Sequence, residues 1–231
     1  MSDLLETPSP KAARILAAAG ELLLARGVRG VTIAEVAQRA HVGKGTAYLY
    51  WKTKEDLVLE LVCRDFLALS GEVTARLAAD PGLVRPSRLC GHIVATAPAH
   101  PFVSAVKAGG GELLGPLAAD PRAAELLDLL GPDAVMRRVL PIWRAHDLAR
   151  DDWPLPDQAF ALQALLTGFL LCPAPADLDP AAVLPAAVTA LLGPERAAEE
   201  QVRSAAEAGA LVIAREQAAA RALVGLPATT G

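Results

Sequence analysis

Apolar residues in the first quarter of the chain recur at three- and four-residue steps, the period of an amphipathic α-helix. One helix is predicted over residues 10–26, with Gly27 as its left-handed C-terminal cap. Another is predicted to begin at Thr32, because Thr32 and Glu35 have the spacing of a capping box and an apolar stripe follows them. His41 is predicted to be a turn residue, since histidine tolerates left-handed backbone angles better than most residues other than glycine.

A third short helix is predicted over residues 43–50, and its outward side carries an unusual set of side chains. Ala47 would face the second helix, while lysine, threonine and two tyrosines point outward without an acid among them: Lys44, Thr46, Tyr48 and Tyr50. Such a surface suits a polyanion, because lysine supplies charge and hydroxyls bond phosphate oxygens or base edges. Gly43 and Gly45 weaken a helix, but they allow close backbone approach at a helix start that favours phosphate. Residues 32–51 are therefore predicted to be two helices, joined by a tight turn, that bind DNA.

A long helix is predicted from residue 53 to residue 79, opened by Thr53 and Asp56 in a second capping arrangement. At 1.5 Å per residue such a helix spans ~40 Å. After it, prolines and glycines divide the chain into shorter helices, predicted near residues 87–96, 102–107, 121–130 and 132–146. The glycine-rich run at Gly109, Gly110, Gly111 and Gly115 is interpreted as a helix breaker, because it lacks the lysine and hydroxyl residue of a phosphate-binding loop.

Two later segments, residues 156–171 and 180–192, are nearly free of charge. A helix that is apolar on most sides must be covered on most sides, so these two helices belong either to the domain core or to a subunit interface. The last helix, predicted over residues 194–224, has mixed charges and a thin apolar stripe. This pattern is typical of an accessory helix over a bundle or of a solvated helix.

Composition and charge favour an all-α fold with a locally basic head. Apolar residues make up 53% of the 231 residues, and many of them are alanine, a strong helix former. The net charge of −4 argues against a generally basic nucleic-acid binder. Residues 1–56, however, contain eight basic and six acidic residues, a net of +2, whereas the remainder has a net of −6. This distribution fits local contact with DNA.

Little in the chain indicates a metal, a cofactor, a membrane or catalysis. Cys63, Cys90 and Cys172 are an odd number without metal-ligand spacing, which favours neither a disulfide framework nor a zinc site and makes the reducing cytoplasm the expected location. The N-terminus lacks the pattern of a signal peptide, and the charge-free run 158–176 is interpreted as a buried helix because glutamines and prolines interrupt it. No G-x-S-x-G nucleophile motif occurs.

A set of residues in the N-terminal region resembles the TetR family of bacterial transcriptional regulators, over roughly residues 10–60. The residues that carry the resemblance, in order and spacing, are Gly27, Val28, Thr32, Ile33, Ala37, Ala40, Val42, Gly45, Thr46, Tyr48, Tyr50, Trp51, Lys54 and Leu57. Three positions depart from it: His41 stands where the family often has glycine, Gly43 where it often has a serine cap, and Trp51 where it usually has phenylalanine.

The resemblance implies a three-helix head with a helix-turn-helix over residues 1–52, and a helical ligand-binding and dimerisation domain over residues 53–231. The expected DNA contacts are Thr32, Gly43, Lys44, Gly45, Thr46, Tyr48, Tyr50 and Lys54. Aromatic residues expected near an apolar effector are Phe66, Phe102, Trp143, Phe160 and Phe169. The expected interface of a homodimer, formed by the two charge-free helices, contains Leu165, Leu166, Phe169, Val188 and Leu191.

The implied function is that of a homodimeric transcriptional regulator, most simply a repressor. It would bind double-stranded operator DNA with half-sites ~34–36 Å apart and leave it when a small apolar effector shifts the long helix. Two alternatives stay open at this stage: an enzyme of small apolar molecules that carries a helix-turn-helix by ancestry, and a protein-interaction module. For individual residues, Tyr48 and Tyr50 could instead be core aromatics, and Lys54 could be a plain surface lysine.

Overall fold

The computed structural model describes residues 9–107, 117, 120–172, 175, 177 and 179–227. The described residues form α-helices and short 3-10 segments, without a β-strand, so the all-α prediction is confirmed. The helices are α1 (Pro10–Arg26), α2 (Ile33–Arg39), α3 (Lys44–Tyr50), α4 (Lys54–Ala79), α5 (Pro86–Thr96), α6 (Pro101–Lys107), α7 (Pro121–Leu130), α8 (Pro132–Ala145), α9 (Leu155–Leu171), α10 (Pro180–Leu192) and α11 (Glu199–Leu223). The glycine-rich segment 109–115 lies outside the described residues.

Local signals in the sequence set the ends of the first helices. The hydroxyl of Ser9 accepts a hydrogen bond from the Ala12 amide at 3.2 Å, with proline next in the chain, and α1 ends at Gly27 with φ +67°. Thr32 and Glu35 form the predicted reciprocal capping box at the start of α2. At α4 the Thr53 hydroxyl accepts the Asp56 amide and the Asp56 carboxylate accepts the Thr53 amide, each at 3.1 Å.

Packing divides the chain into two compact units. Unit 1 contains Met1–Ala68, His100–Leu126 and Ala220–Gly231, and unit 2 contains Leu69–Ala99 and Leu127–Ala219. The division into a head of residues 1–52 and a body of residues 53–231 stays a prediction about function. Compact packing groups the chain differently, because α4 and α11 each contribute residues to both units.

In unit 1, α1, α2 and α3 pack on one another, and α6 and the end of α11 are joined to the first half of α4. The Asp65 carboxylate accepts the amides of Phe102 and Val103 at 2.8 and 3.0 Å, which caps the N-terminus of α6. Burial raises the pKa of Asp65, against the lowering effect of these amides and of His100 beside it. The thiol of Cys63 lies 3.5 Å from the carbonyl of Ala220 in α11.

Unit 2 has its own hydrophobic core, built around the packing of α10 on α5 and α9 and of α8 on α9. Its largest side chain, Trp143, is fully buried and donates its indole N–H to the Val84 carbonyl at 2.8 Å. Both charge-free helices contribute to this core, with Leu162 of α9 and Val188 of α10 completely covered. No described helix is long and apolar enough to cross a lipid bilayer.

The last helix begins at Glu199, five residues later than the sequence pattern predicts. Gly193 ends α10 with φ +87°, and the following segment is held in a non-helical conformation by the guanidinium of Arg85. That guanidinium donates to the carbonyls of Glu195 and Ala197 at 3.2 and 3.4 Å. These carbonyls are therefore satisfied without the helical hydrogen bonds that the pattern predicted.

Candidate nucleic-acid interface

The turn before α3 depends on one residue in a left-handed conformation. His41 has φ +53°, as predicted for a turn residue at this position, and its amide donates to the Gln38 carbonyl at 3.1 Å. The next amide, of Val42, donates to the Ala37 carbonyl at 3.0 Å. These two hydrogen bonds cap the C-terminus of α2, and the chain then turns into α3.

One side of α3 packs on the domain and the other faces solvent. Ala47 is buried against α2, whereas Tyr48 and Tyr50 are 43% and 39% exposed. The ammonium of Lys44 lies 5.8 Å above the centre of the Tyr48 ring, within the range of a cation–π contact. The Tyr50 hydroxyl lies 2.7 Å from the Ser9 hydroxyl, so a partner at the start of α1 holds that ring in place.

Gly43 is the N-cap of α3 and offers no side chain to the first amides of the helix. Its carbonyl accepts the amides of Thr46 and Ala47 at 2.9 and 3.3 Å. Thr46 is half-buried, while Lys44 and Gly45 are exposed. An uncapped and exposed helix start without an acid in its first turn is compatible with an approaching phosphate.

Two of the predicted DNA-contact residues have partners inside the domain. The Thr32 hydroxyl takes part in the capping box with Glu35, donating to its carboxylate at 2.8 Å. The Lys54 ammonium donates to the Val28 carbonyl at 2.9 Å. A positive charge at a helix N-terminus is unfavourable, and this bond accounts for the lysine there without the need for an external phosphate. DNA contact by these two residues stays a prediction, and the ammonium of Lys54 has further donors to offer.

Four of the acidic residues in unit 1 are paired with arginines. The ion pairs are Glu21 with Arg39, Glu35 with Arg26, Glu60 with Arg64 and Asp56 with Arg122, at 2.8, 3.6, 2.8 and 2.8 Å. Lys44 and Lys52 are exposed and make no ion pair with any residue that the structure describes. Their charge is therefore available to a polyanion, and α3 itself contains no acid.

Leu49 is a further exposed residue of α3, outside the set of expected DNA contacts. This residue is 84% exposed in α3, one residue after Tyr48 and four after Gly45. Residue type alone assigns a leucine to the inside of an amphipathic helix, whereas the structure places Leu49 on the outer surface. A signal was available in the helical spacing, because Leu49 lies four residues from Gly45 and not on the side of Ala47.

Trp51, which stands where the family pattern usually has phenylalanine, is buried just after α3. Its indole N–H donates to the Glu60 carboxylate at 2.7 Å, and Glu60 also pairs with Arg64. Its ring lies 5.5 Å from that of Tyr50, centroid to centroid. The tryptophan therefore joins the end of α3 to α4 by packing and by a polar contact that phenylalanine cannot make.

The aromatic residues predicted for an effector site are divided between the two units. Phe66 and Phe102 are buried in unit 1, and the Phe102 ring lies 3.9 Å from the position of a Cβ at Gly20 of α1. Trp143 and the half-buried Phe169 belong to the core of unit 2. Phe160 is a correction to the prediction, because it is 72% exposed and lines no interior space of its unit.

The residues predicted for the dimer interface also separate into two groups. Leu166 and Val188 are buried in the core of unit 2, so the single chain already covers them and they are not available to a partner. Leu165, Phe169 and Leu191 are half-buried against the same core. The sequence could not separate these groups, because a helix apolar on all sides does not indicate which side its own chain covers.

Comparison with known proteins agrees with this arrangement. Residues 15–61 match the family model of bacterial regulatory proteins, tetR family. The chain is similar in structure to the fatty acid degradation regulator FadR from Bacillus halodurans, with a TM-score of 0.59 and 19% sequence identity over 84% of this chain and 100% of the other. No curated protein sequence matches the chain. The tetR model thus lies on α1 to the beginning of α4, which form an N-terminal DNA-binding domain of the tetR-family type, and over most of its length the chain has the fold of this regulator.

Proposed function

We propose that the protein is a homodimeric repressor that binds a roughly palindromic operator through α3 and is released by a small apolar effector. The observation that supports DNA binding is the exposed side of α3, which presents Lys44, Tyr48 and Tyr50 and has no acidic residue. Two copies of this surface, one in each protomer, would enter successive major grooves ~34–36 Å apart.

The exposed sides of α9 and α10 support dimerisation through these two helices. On α9 they include Phe160, Ala164 and Leu171, and on α10 Val183 and Ala186. The exposed residues of both helices lack charge, apart from Asp157 in the first turn of α9. An extended apolar surface of this kind is typical of a subunit interface.

An apolar effector is supported by the composition of the chain outside the head. The core of unit 2 is apolar over α5, α8, α9 and α10. The structural neighbour is described as a regulator of fatty acid degradation, which makes fatty acids the first class of effector to test. The long helix α4 contributes residues to both units. A ligand that binds the protein more tightly in one placement of α4 than in another would therefore change the affinity for DNA.

The test of DNA recognition starts with operator selection by the full-length protein from a random duplex pool, followed by affinity measurement across a salt series. We expect Lys44→Ala and Tyr48→Ala each to weaken operator binding about tenfold or more, from loss of contacts worth roughly 1–3 kcal/mol. Lys44→Ala should also reduce the salt slope by about one, since one fewer counterion is released.

The control is Leu211→Ala, because Leu211 is exposed on α11, far along the chain from α3. Circular dichroism and light scattering should show unchanged helicity and oligomeric state for all three variants. Wild-type affinity in both α3 variants would exclude this helix as the recognition element. If a fatty acid releases the protein from the operator and is not itself converted, the protein is a regulator and not an enzyme that acts on this ligand.

A further inference from the structure

Leu49 differs from the other exposed leucines in its surroundings. It is 84% exposed, the highest value among the large exposed apolar side chains, and it belongs to the short helix that also exposes Lys44 and Tyr48. Single exposed leucines are common and need no explanation where nothing binds. Leu49, however, belongs to the surface of α3 whose charge and hydroxyl groups suit a polyanion. Its apolar side chain would therefore be part of the proposed contact between α3 and DNA.

Gly45 lies one helical turn before Leu49, on the same side of α3. A Cβ at Gly45 would meet no atom within 4 Å, and Gly45 is not among the glycines with positive φ. Neither packing nor backbone conformation within the domain therefore requires a glycine here, although glycine is less favourable than alanine in a helix. The missing side chain leaves open space directly beside Leu49.

Lys44 and Tyr48 form a second row, also one helical turn apart, beside the row of Gly45 and Leu49. The surface of α3 is thus divided into a polar, positively charged row and a smooth apolar row. In the major groove only thymine presents a methyl group, next to its O4 acceptor. An apolar row that a base edge can approach closely, beside a row of hydrogen-bond donors, matches this pair of features.

We propose that Leu49, with the space left by Gly45, is a specificity-determining residue that recognises the 5-methyl group of a thymine in each operator half-site. The proposal rests on the proposed function of α3 as the recognition helix. The leucine methyl groups contact the thymine methyl and exclude water from it, while Gly45 allows the base edge to come close to the backbone of α3.

The test uses the full-length protein and the operator obtained by selection, in which each thymine in turn is replaced by deoxyuridine. This replacement removes one methyl group and preserves base pairing. We expect deoxyuridine at one position of each half-site to weaken wild-type binding about three- to fourfold, the size expected for exposing one methyl group. Leu49→Ala should weaken binding to the thymine operator and show no further loss on the deoxyuridine operator at that position.

Leu49→Met serves as the conservative variant and should keep most of the preference for thymine, since methionine is also apolar and flexible. Three results would overturn the proposal: a selected operator without a thymine in the half-site, equal deoxyuridine losses in wild type and Leu49→Ala, or wild-type affinity of Leu49→Ala. Failure of the wild-type protein to select any sequence would instead contradict the proposed function of α3.

Discussion

Three residues of α1 to α3 and their turns differ in how far internal geometry explains their backbone conformation. Gly27 and His41 adopt positive φ and end α1 and α2, so internal geometry explains both of them. Gly45 has no such explanation, because a Cβ there would meet nothing within 4 Å. Glycine allows another molecule to approach a helix backbone closely, and Gly45 lies on the exposed side of α3 together with Lys44 and Tyr48.

Replacement of Gly45 by alanine should therefore have opposite effects on stability and on DNA binding. We expect Gly45→Ala to raise the free energy of unfolding by up to about 1 kcal/mol, because alanine loses less backbone entropy on folding. Operator affinity should fall about tenfold or more, since the new methyl group occupies space needed by the base edge. Urea unfolding and a binding titration measure the two effects.

Gly91→Ala in α5 is the matched control, because a Cβ at Gly91 also meets nothing within 4 Å. It should stabilise the protein to a similar extent and leave operator affinity unchanged. If Gly45→Ala binds the operator as tightly as wild type does, the glycine does not serve close approach to DNA.

At the scale of elements, α7 is joined to the beginning of α4 by one arginine in unit 1. Arg122 donates to the carboxylate of Asp120 at 2.6 Å and to that of Asp56 at 2.8 Å, and its own amide is capped by Asp120. The hydrogen bond from the Arg122 side chain lowers the pKa of Asp120. Burial opposes ionisation of Asp56, but hydrogen bonds from Thr53 and Arg122 outweigh it, so the pKa of Asp56 is also lowered.

This cluster should stabilise the fold at neutral pH and lose its effect in acid. Both carboxyl groups have lower pKa values in the folded than in the unfolded chain, so their contribution is present above the unfolded value of about 4 and is lost as pH falls through the folded values. We expect Arg122→Gln to lower stability at pH 7 and to make stability less dependent on pH between about 5 and 2. Urea unfolding at a series of pH values measures this change.

Arg88→Gln is the control for the general loss of a surface ion pair. Arg88 pairs with Asp80 at 2.6 Å, but both side chains are about half exposed, and such pairs contribute little. The control should leave stability at pH 7 and its pH dependence close to wild type. A pH profile of Arg122→Gln that is parallel to that of wild type would show that the Arg122 side chain does not lower the pKa values of these carboxyl groups.

At the scale of the whole molecule, the proposed dimer would use the exposed residues of α9 and α10, since the core residues of the same helices are covered by their own chain. We expect Phe160→Glu to give a folded monomer, because it places a charge in the apolar surface without disturbing the core. Val188→Glu should instead unfold unit 2, since it buries a charge where the side chain is completely covered. Light scattering and thermal melting distinguish the two outcomes.

Leu211→Glu on α11 is the matched control, with the same 72% exposure as Phe160. It should remain dimeric and melt like the wild-type protein. A Phe160→Glu protein that is still dimeric would place the interface elsewhere.

The sequence by itself determined the local structure of this protein, because caps and helical periodicity depend on residues only three or four positions apart. The spacing of Thr32 and Glu35 predicted the start of α2, and that of Thr53 and Asp56 the start of α4. The residues around α3 also predicted the tetR-family domain and its outward lysine and tyrosines. In the same way, the ends of α1, α7 and α10 followed from proline, glycine and charge patterns.

Only the tertiary structure decided which side of each apolar helix its own chain covers. Val188 is completely buried and Phe160 exposed, although both lie in nearly charge-free helices whose sequences favour neither side. Long-range partners were equally invisible: Asp65 caps α6 from α4, and Arg85 keeps residues 194–198 out of the last helix. Such contacts join residues far apart in the chain, so they arise from packing of the whole unit and have no signature within a few residues of sequence.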